Sequence, residues 1–100
     1  MKKSNGNSDG VVPLVVTTVH RGVFFGFGVP TTDKTIRITD AQMCVAWSKD
    51  VRGVLGLASD GPSKHCRVGP AVPAITLQDV TSVIEASEKA SAAWQAQPWS

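Results

Sequence analysis

A two-residue alternation of apolar and polar positions runs through the first half of the chain and predicts short strands. Its clearest stretch is GVFFGFGV, where Val23, Phe25 and Phe27 share one face and Phe24, Gly26 and Gly28 the other, so the Val–Phe–Phe face belongs in the core. Before it, VVPLVVTTV (residues 11–19) is dense in β-branched residues and reads as a strand with Pro13 at its edge or in its first turn. His20-Arg21-Gly22 turns the chain from that strand into the next. Pro30, Thr31, Thr32 and Asp33 supply another turn, and KTIRIT returns with Ile36 and Ile38 inward and Arg37 outward between them. Asp40 offers a turn or a helix N-cap. The AQMCVAW that follows is long enough for a helical turn or a buried strand, and the established meander favours the strand.

The alternation stops at Trp47. Residues 47–70 hold Gly53, Gly56, Gly61, Gly69 and two prolines, and resemble neither flank. Val51, Val54, Leu55 and Ala58 recur there at helical spacing after Ser48 and Asp50, either of which can cap a helix. Gly53 and Gly56 would each cost that helix about 1 kcal/mol against alanine, so a short helix or an ordered loop is expected, ended by Asp60-Gly61-Pro62. KHCRVGPAVP is extended and bounded by proline, after which Ile75 and Leu77 restore strand alternation and SVIEA adds a further short strand. Ser87 can cap a helix over residues 88–95, Glu88 opposes its dipole, and Pro98 bars its continuation. Ala90, Ala93 and Trp94 form its apolar stripe, with Trp94 and Trp99 placed to pin it onto the sheet or a neighbouring subunit. The pattern predicts an α+β, β-rich small domain of five to six short antiparallel strands, with a short central helix or loop and a C-terminal helix.

Composition narrows this picture. One hundred residues make one domain, read as residues 11–100 behind a polar N-terminal tail over residues 1–10 that cannot repay its own ordering. The charged share of 18% lies below the roughly 25% of an average soluble domain, which suggests that another subunit covers part of the surface. A homo-oligomer is therefore expected. A formal net charge of +2 does not mark a nucleic-acid binder, and residues 11–19 are too short and interrupted to span a membrane. Lys2 and Lys3 are followed by polar residues where the apolar core of an export signal would begin. Cys44 and Cys66 are too few for a disulfide scaffold and read as reduced thiols of a cytoplasmic protein.

The candidate chemistry is sparse. His20, Cys44, His65 and Cys66 are zinc-type ligands, but the adjacent His65 and Cys66 point apart in extended chain, so neither a metal nor any other cofactor is assigned. There is no G-x-S-x-G elbow, and Gly26-Phe27-Gly28 lacks the third glycine and the helix of a dinucleotide fingerprint, so no enzyme is expected. What remains is a set of cations in glycine-rich loop: Arg52, Lys64, His65 and Arg67, with Arg21 in an earlier turn and Trp47 at the loop's root. Guanidinium forks bind phosphate or carboxylate bidentately and an indole stacks on a base or a guanidinium. The plainer explanation is solvated loop charge paired with Asp50 and Asp60.

Several motifs bear a likeness to a known family. T-x-H-R-G-V-x-x-G at residues 18–26, I-T-D-A at 38–41, Trp47-Ser48, G-x-x-G-L-A at 53–58, V-P-x-I-T-L at 72–77 and E-A-S-E-x-A at 85–90 resemble a widespread family of small phage-encoded proteins known chiefly as a domain of unknown function. The likeness runs from Val15 to Trp94 and rests on structural motifs rather than catalytic ones. Where many relatives show Ala-Arg-Arg before the tryptophan, this chain has Ala41 followed by Gln42, Met43 and Cys44. The resemblance implies a phage or prophage protein acting in the host bacterial cytoplasm. Two functions are expected from residues and resemblance together. One is non-enzymatic counter-defence, in which a small anionic, cyclic-nucleotide-like host immune signal is sequestered by Arg21, Trp47, Arg52, Lys64, His65 and Arg67. The alternative is a protein–protein interaction module that inhibits a host protein or serves a structural virion role.

Overall fold

The computed structural model describes residues 10–19, 22–46, 53–63 and 66–97. Within them the β-branched run forms β1 (Val12–Thr18), the Val–Phe–Phe alternation forms β2 (Val23–Gly28), and the ambiguous AQMCVAW segment continues β3 (Ile36–Ala46). These three make an antiparallel meander with Val15 opposite Phe25 and Phe25 opposite Gln42. On the far edge of β3 lie, in succession, β4 (Arg67–Val68) and β5 (Val72–Leu77); β6 (Val80–Glu85) pairs with β1 on the other edge. The expected β-rich α+β domain is thus realised with six antiparallel strands and two helices among the described residues.

β5 and β6 run in the same direction with only Gln78 and Asp79 between them, yet they pair with strands on opposite sides of β2. One segment therefore bridges both edges, and the sheet must curl on itself into a small open barrel. Asp79 makes the bend with a left-handed φ of 54°; its carbonyl accepts from the Val19 amide, and the Val80 amide donates to the Lys34 carbonyl.

Curling gives the sheet two buried faces. Leu14, Val16, Ile36, Ile38, Ala41 and Leu77 fill the barrel, while Val15, Val23, Phe25, Cys44 and Val68 lie on the outer face beneath the helices. β1 is buried on both, which is why its sequence is a continuous apolar run instead of an alternation. Gly26 faces inward where β2 crosses β3: a Cβ there would stand 2.8 Å from Ile38 Cδ1 and 3.0 Å from the Thr39 carbonyl oxygen. The Gly26-Phe27-Gly28 pattern thus serves close strand packing rather than a phosphate turn.

β3 changes phase in its middle. Phe25 pairs with Gln42 but Phe27 with Thr39, so β3 holds one residue more than β2, and Asp40 in that bulge has φ 48°. Asp40 is accordingly neither the turn nor the N-cap expected of it. The bulge keeps Ala41 with Ile36 and Ile38 inside the barrel and turns Gln42 and Cys44 to the helix side.

The C-terminal helix α2 (Glu88–Ala96) starts as its sequence indicates, with the Ser87 hydroxyl accepting from the Ala90 amide at 3.0 Å. Such a cap stabilises a helix by about 1 kcal/mol. The Ser87 amide also donates to the Ala58 carbonyl and its hydroxyl to the Ser59 carbonyl, joining α2 to the end of α1 (Gly53–Ser59). α1 settles the choice between helix and loop, but its buried face differs from the expected stripe. Leu57 and Ala58 are buried and Leu55 is 71% exposed, because α1 lies against β1 and β6 on one side and α2 on another. Trp94 packs onto the sheet with no exposed surface. Ser48, Asp50, Val51, Pro98, Trp99 and residues 1–9 lie outside the described residues.

Candidate functional site

Of the six residues proposed to bind an anion, Arg67 is described; Arg21, Trp47, Arg52, Lys64 and His65 lie outside the described residues. Arg67 opens β4, is exposed, and stands opposite Ala46, the last residue of β3. Phe24 stands opposite Met43, so continuing that register brings Gly22 to the same end of the sheet as Val45 and Ala46. The hairpin there is closed by Thr18, whose amide donates to the Gly22 carbonyl and whose hydroxyl accepts from the Gly22 amide. Ser63 and Cys66 are held together by a 3.0 Å hydrogen bond from the Cys66 amide to the Ser63 carbonyl. The sequence neighbours of Arg21, Trp47, Lys64 and His65 are thereby gathered around Arg67 at one end of the barrel.

Charge is distributed unevenly along the chain. Arg21, Lys49, Arg52, Lys64 and Arg67 against Asp50 leave a formal +4 in residues 20–22, 47–52 and 64–67; the chain total is +2, so the remainder carries −2. Both histidines, His20 and His65, fall in the same segments.

The face of the sheet at this end is apolar. Cys44 is buried on the helix side, so its alternating neighbours Met43 and Val45 point to the opposite face, while Arg67 stands opposite Ala46 across a register shift. Met43 is 44% and Val45 51% exposed, and half-buried Phe24 lies across from Met43. The result is an apolar ledge on β3 with a guanidinium on the neighbouring strand.

Two features of the site's support are not legible as such in the sequence. Gln42 is buried on the helix side, where its Nε2 donates to the Trp94 carbonyl at 3.1 Å and the Gly69 carbonyl at 3.5 Å. It joins the last turn of α2 and the end of β4 to β3. Gln97 acts likewise, with Nε2 donating to the Ser63 and Cys66 carbonyls at 3.1 Å each. A glutamine between apolar residues is the signal for such a buried clamp, but only the bulge at Asp40 sends Gln42 to the helix side.

Cys44 and Cys66 are free and buried in the same core cluster. Burial, and secondarily the neighbouring Cys66, pushes the Cys44 thiol up to about 11, so at neutral pH it is an un-ionised core residue rather than a nucleophile. Among the described residues no three His, Cys, Asp or Glu side chains gather as metal ligands, and no helix is long and apolar enough to cross a membrane. A shallow apolar groove of about 450 Å³ runs between α1 and the end of β6, lined by Leu55, Ala58, Ile84 and Ala86.

Residues 11–94, from the start of β1 to the core tryptophan of α2, match the family described as "Domain of unknown function (DUF6948)". The chain belongs to that family. The match spans both core clusters, so the sheet and its two helices are the DUF6948 unit itself. No curated protein and no solved structure matches the chain.

Proposed function

We propose that this DUF6948 protein is a non-enzymatic binding protein that sequesters a small anionic, cyclic-nucleotide-like ligand at the basic end of its barrel. The observation that carries the reading is the pairing of Ala46 with Arg67 beside the Gly22 hairpin, which draws together the flanks of segments holding a formal +4. Hydrogen bonds to charged groups contribute roughly 1.5–3 kcal/mol each, so a few phosphate contacts drawn from Arg21, Arg52, Lys64, His65 and Arg67 reach the roughly 8 kcal/mol of micromolar affinity. Trp47 supplies a flat face for a base. The resemblance to phage-encoded proteins supports a setting in a bacterial host cytoplasm, where the ligand is a host immune signal and its capture is counter-defence. The sparse surface charge supports assembly as a homo-oligomer.

A thermal-shift series with cyclic mono-, di- and trinucleotides tests this reading. A ligand at a hundred times its dissociation constant stabilises the native state by about 2.7 kcal/mol, which raises the melting temperature of a domain this size by roughly 10 °C. Absence of any shift across the series counts against it.

The groove between α1 and β6 favours a second reading, a protein-interaction module. Leu55 is 71% exposed at its edge, a position that suits an apolar side chain from a partner. If Leu55→Asp abolishes capture of a defined host or virion protein while no nucleotide binds, this reading replaces the first.

A further inference from the structure

β6 ends the strand order: one edge meets β1, and no strand lies along the other among the described residues. The remaining outer strands are blunted, since β4 has two residues and β5 carries the exposed Pro73. β6 has six residues and no proline, lysine or arginine, and its register irregularity lies at its start, opposite Thr17 and Thr18. Its backbone is ready to pair. The Ala86 amide donates to the Pro13 carbonyl, and bonded positions alternate along an antiparallel pair, so Ser82 and Ile84 also face β1 while the amides and carbonyls of Val83 and Glu85 point outward.

We propose that a second copy of this chain covers this edge, its β6 pairing antiparallel with the first about a two-fold axis at Ile84, an inference that rests on the homo-oligomer reading above. That register sets Val83 of each copy opposite Glu85 of the other, so every outward amide and carbonyl of both residues gains a partner. A two-fold at Val83 would instead set Glu85 against Thr81, where the register with β1 is irregular. Ile84 meets its own copy as a non-bonded pair, the kind whose side chains stand closest, on the face that carries Leu55, Ala58 and Ala86. The two grooves join into one apolar seam, and Leu55 gains apolar neighbours across the axis. Charge agrees with this register. Continuing it sets the exposed Glu88 of one copy toward Val80 of the other, whose amide donates to the carbonyl of the exposed Lys34, so an acid meets a lysine at each end of the seam.

The test is sedimentation equilibrium of the full chain, native and Glu85→Pro, across micromolar concentrations, with amide hydrogen exchange of the native protein followed by NMR. Glu85 is exposed and its amide points outward, so proline is compatible with the single copy but removes a donor from the seam. Native protein should be a dimer, and Glu85→Pro should weaken it roughly ten-fold or more. The Val83 and Glu85 amides should exchange slowly in the dimer and faster on dilution. A native protein that stays monomeric overturns the seam and the homo-oligomer reading together, leaving the groove for another protein. A dimer in which Glu85→Pro associates as tightly as native, or in which the Val83 amide exchanges as fast as an open edge, overturns the seam and leaves assembly to another surface. The exchange measurement uses native protein alone and decides the matter if Glu85→Pro does not fold.

Discussion

The indole of Trp94 lies nearly parallel to the ring of Phe25, centroids 5.2 Å apart and planes 10° from each other, while its N–H donates to the Leu57 carbonyl at 3.0 Å. One side chain of α2 thus fastens the helix to β2 and to α1 at once. Trp94→Phe keeps a ring against Phe25 but leaves a buried carbonyl without that donor, so it should cost about 1–3 kcal/mol. Phe25→Ala empties the centre of the outer core and should cost about 3–5 kcal/mol. Urea unfolding measures both; a loss well under 1 kcal/mol for Phe25→Ala would contradict this description of the core.

Barrel curvature makes its own prediction at Gly26. A methyl group there meets the Ile38 side chain and the Thr39 carbonyl, so Gly26→Ala should cost about 1–3 kcal/mol through overpacking. Ile38→Val removes the nearest atom, Cδ1. Combined with Gly26→Ala it should therefore be less damaging than the sum of the single changes. Strict additivity in that cycle would show that the two positions do not share the tight contact.

Cys44 predicts how stability depends on pH. Its folded value of about 11 lies above the ordinary 9.0, chiefly through burial, so the folded state favours the protonated thiol. The contribution is fully present below pH 9 and is lost as pH rises toward 11. The melting temperature of the native protein should fall over that window more steeply than that of Cys44→Ala. Parallel curves for the two proteins would refute the assignment.

Much of this fold is readable from local pattern because its strands obey a two-residue period wherever one face differs from the other. Val23, Phe25 and Phe27 went to one face as expected, and Ser87 capped its helix. The curl of the sheet is not readable in the same way, since it depends on β5 and β6 pairing with β3 and β1 across long stretches of sequence. Asp40 misleads for a related reason: a left-handed aspartate looks like a turn, and only pairing with β2 makes it a bulge inside a strand. Leu55 and Leu57 sit in a helix so short that its buried face is chosen by its neighbours rather than by its own spacing. For the candidate site, the residue types were legible and their arrangement was not, because the gathering of their flanks rests on the register of Ala46 against Arg67.

The central claim, that the basic end holds an anion, is tested most directly by the affinity of native, Arg52→Ala and Arg67→Ala proteins for a cyclic dinucleotide, with melting temperatures measured in parallel. Each variant should lose roughly ten-fold or more in affinity, as expected for removal of one charge-assisted contact, while remaining folded. Native protein that does not bind, or variants that bind as tightly as native, would contradict it.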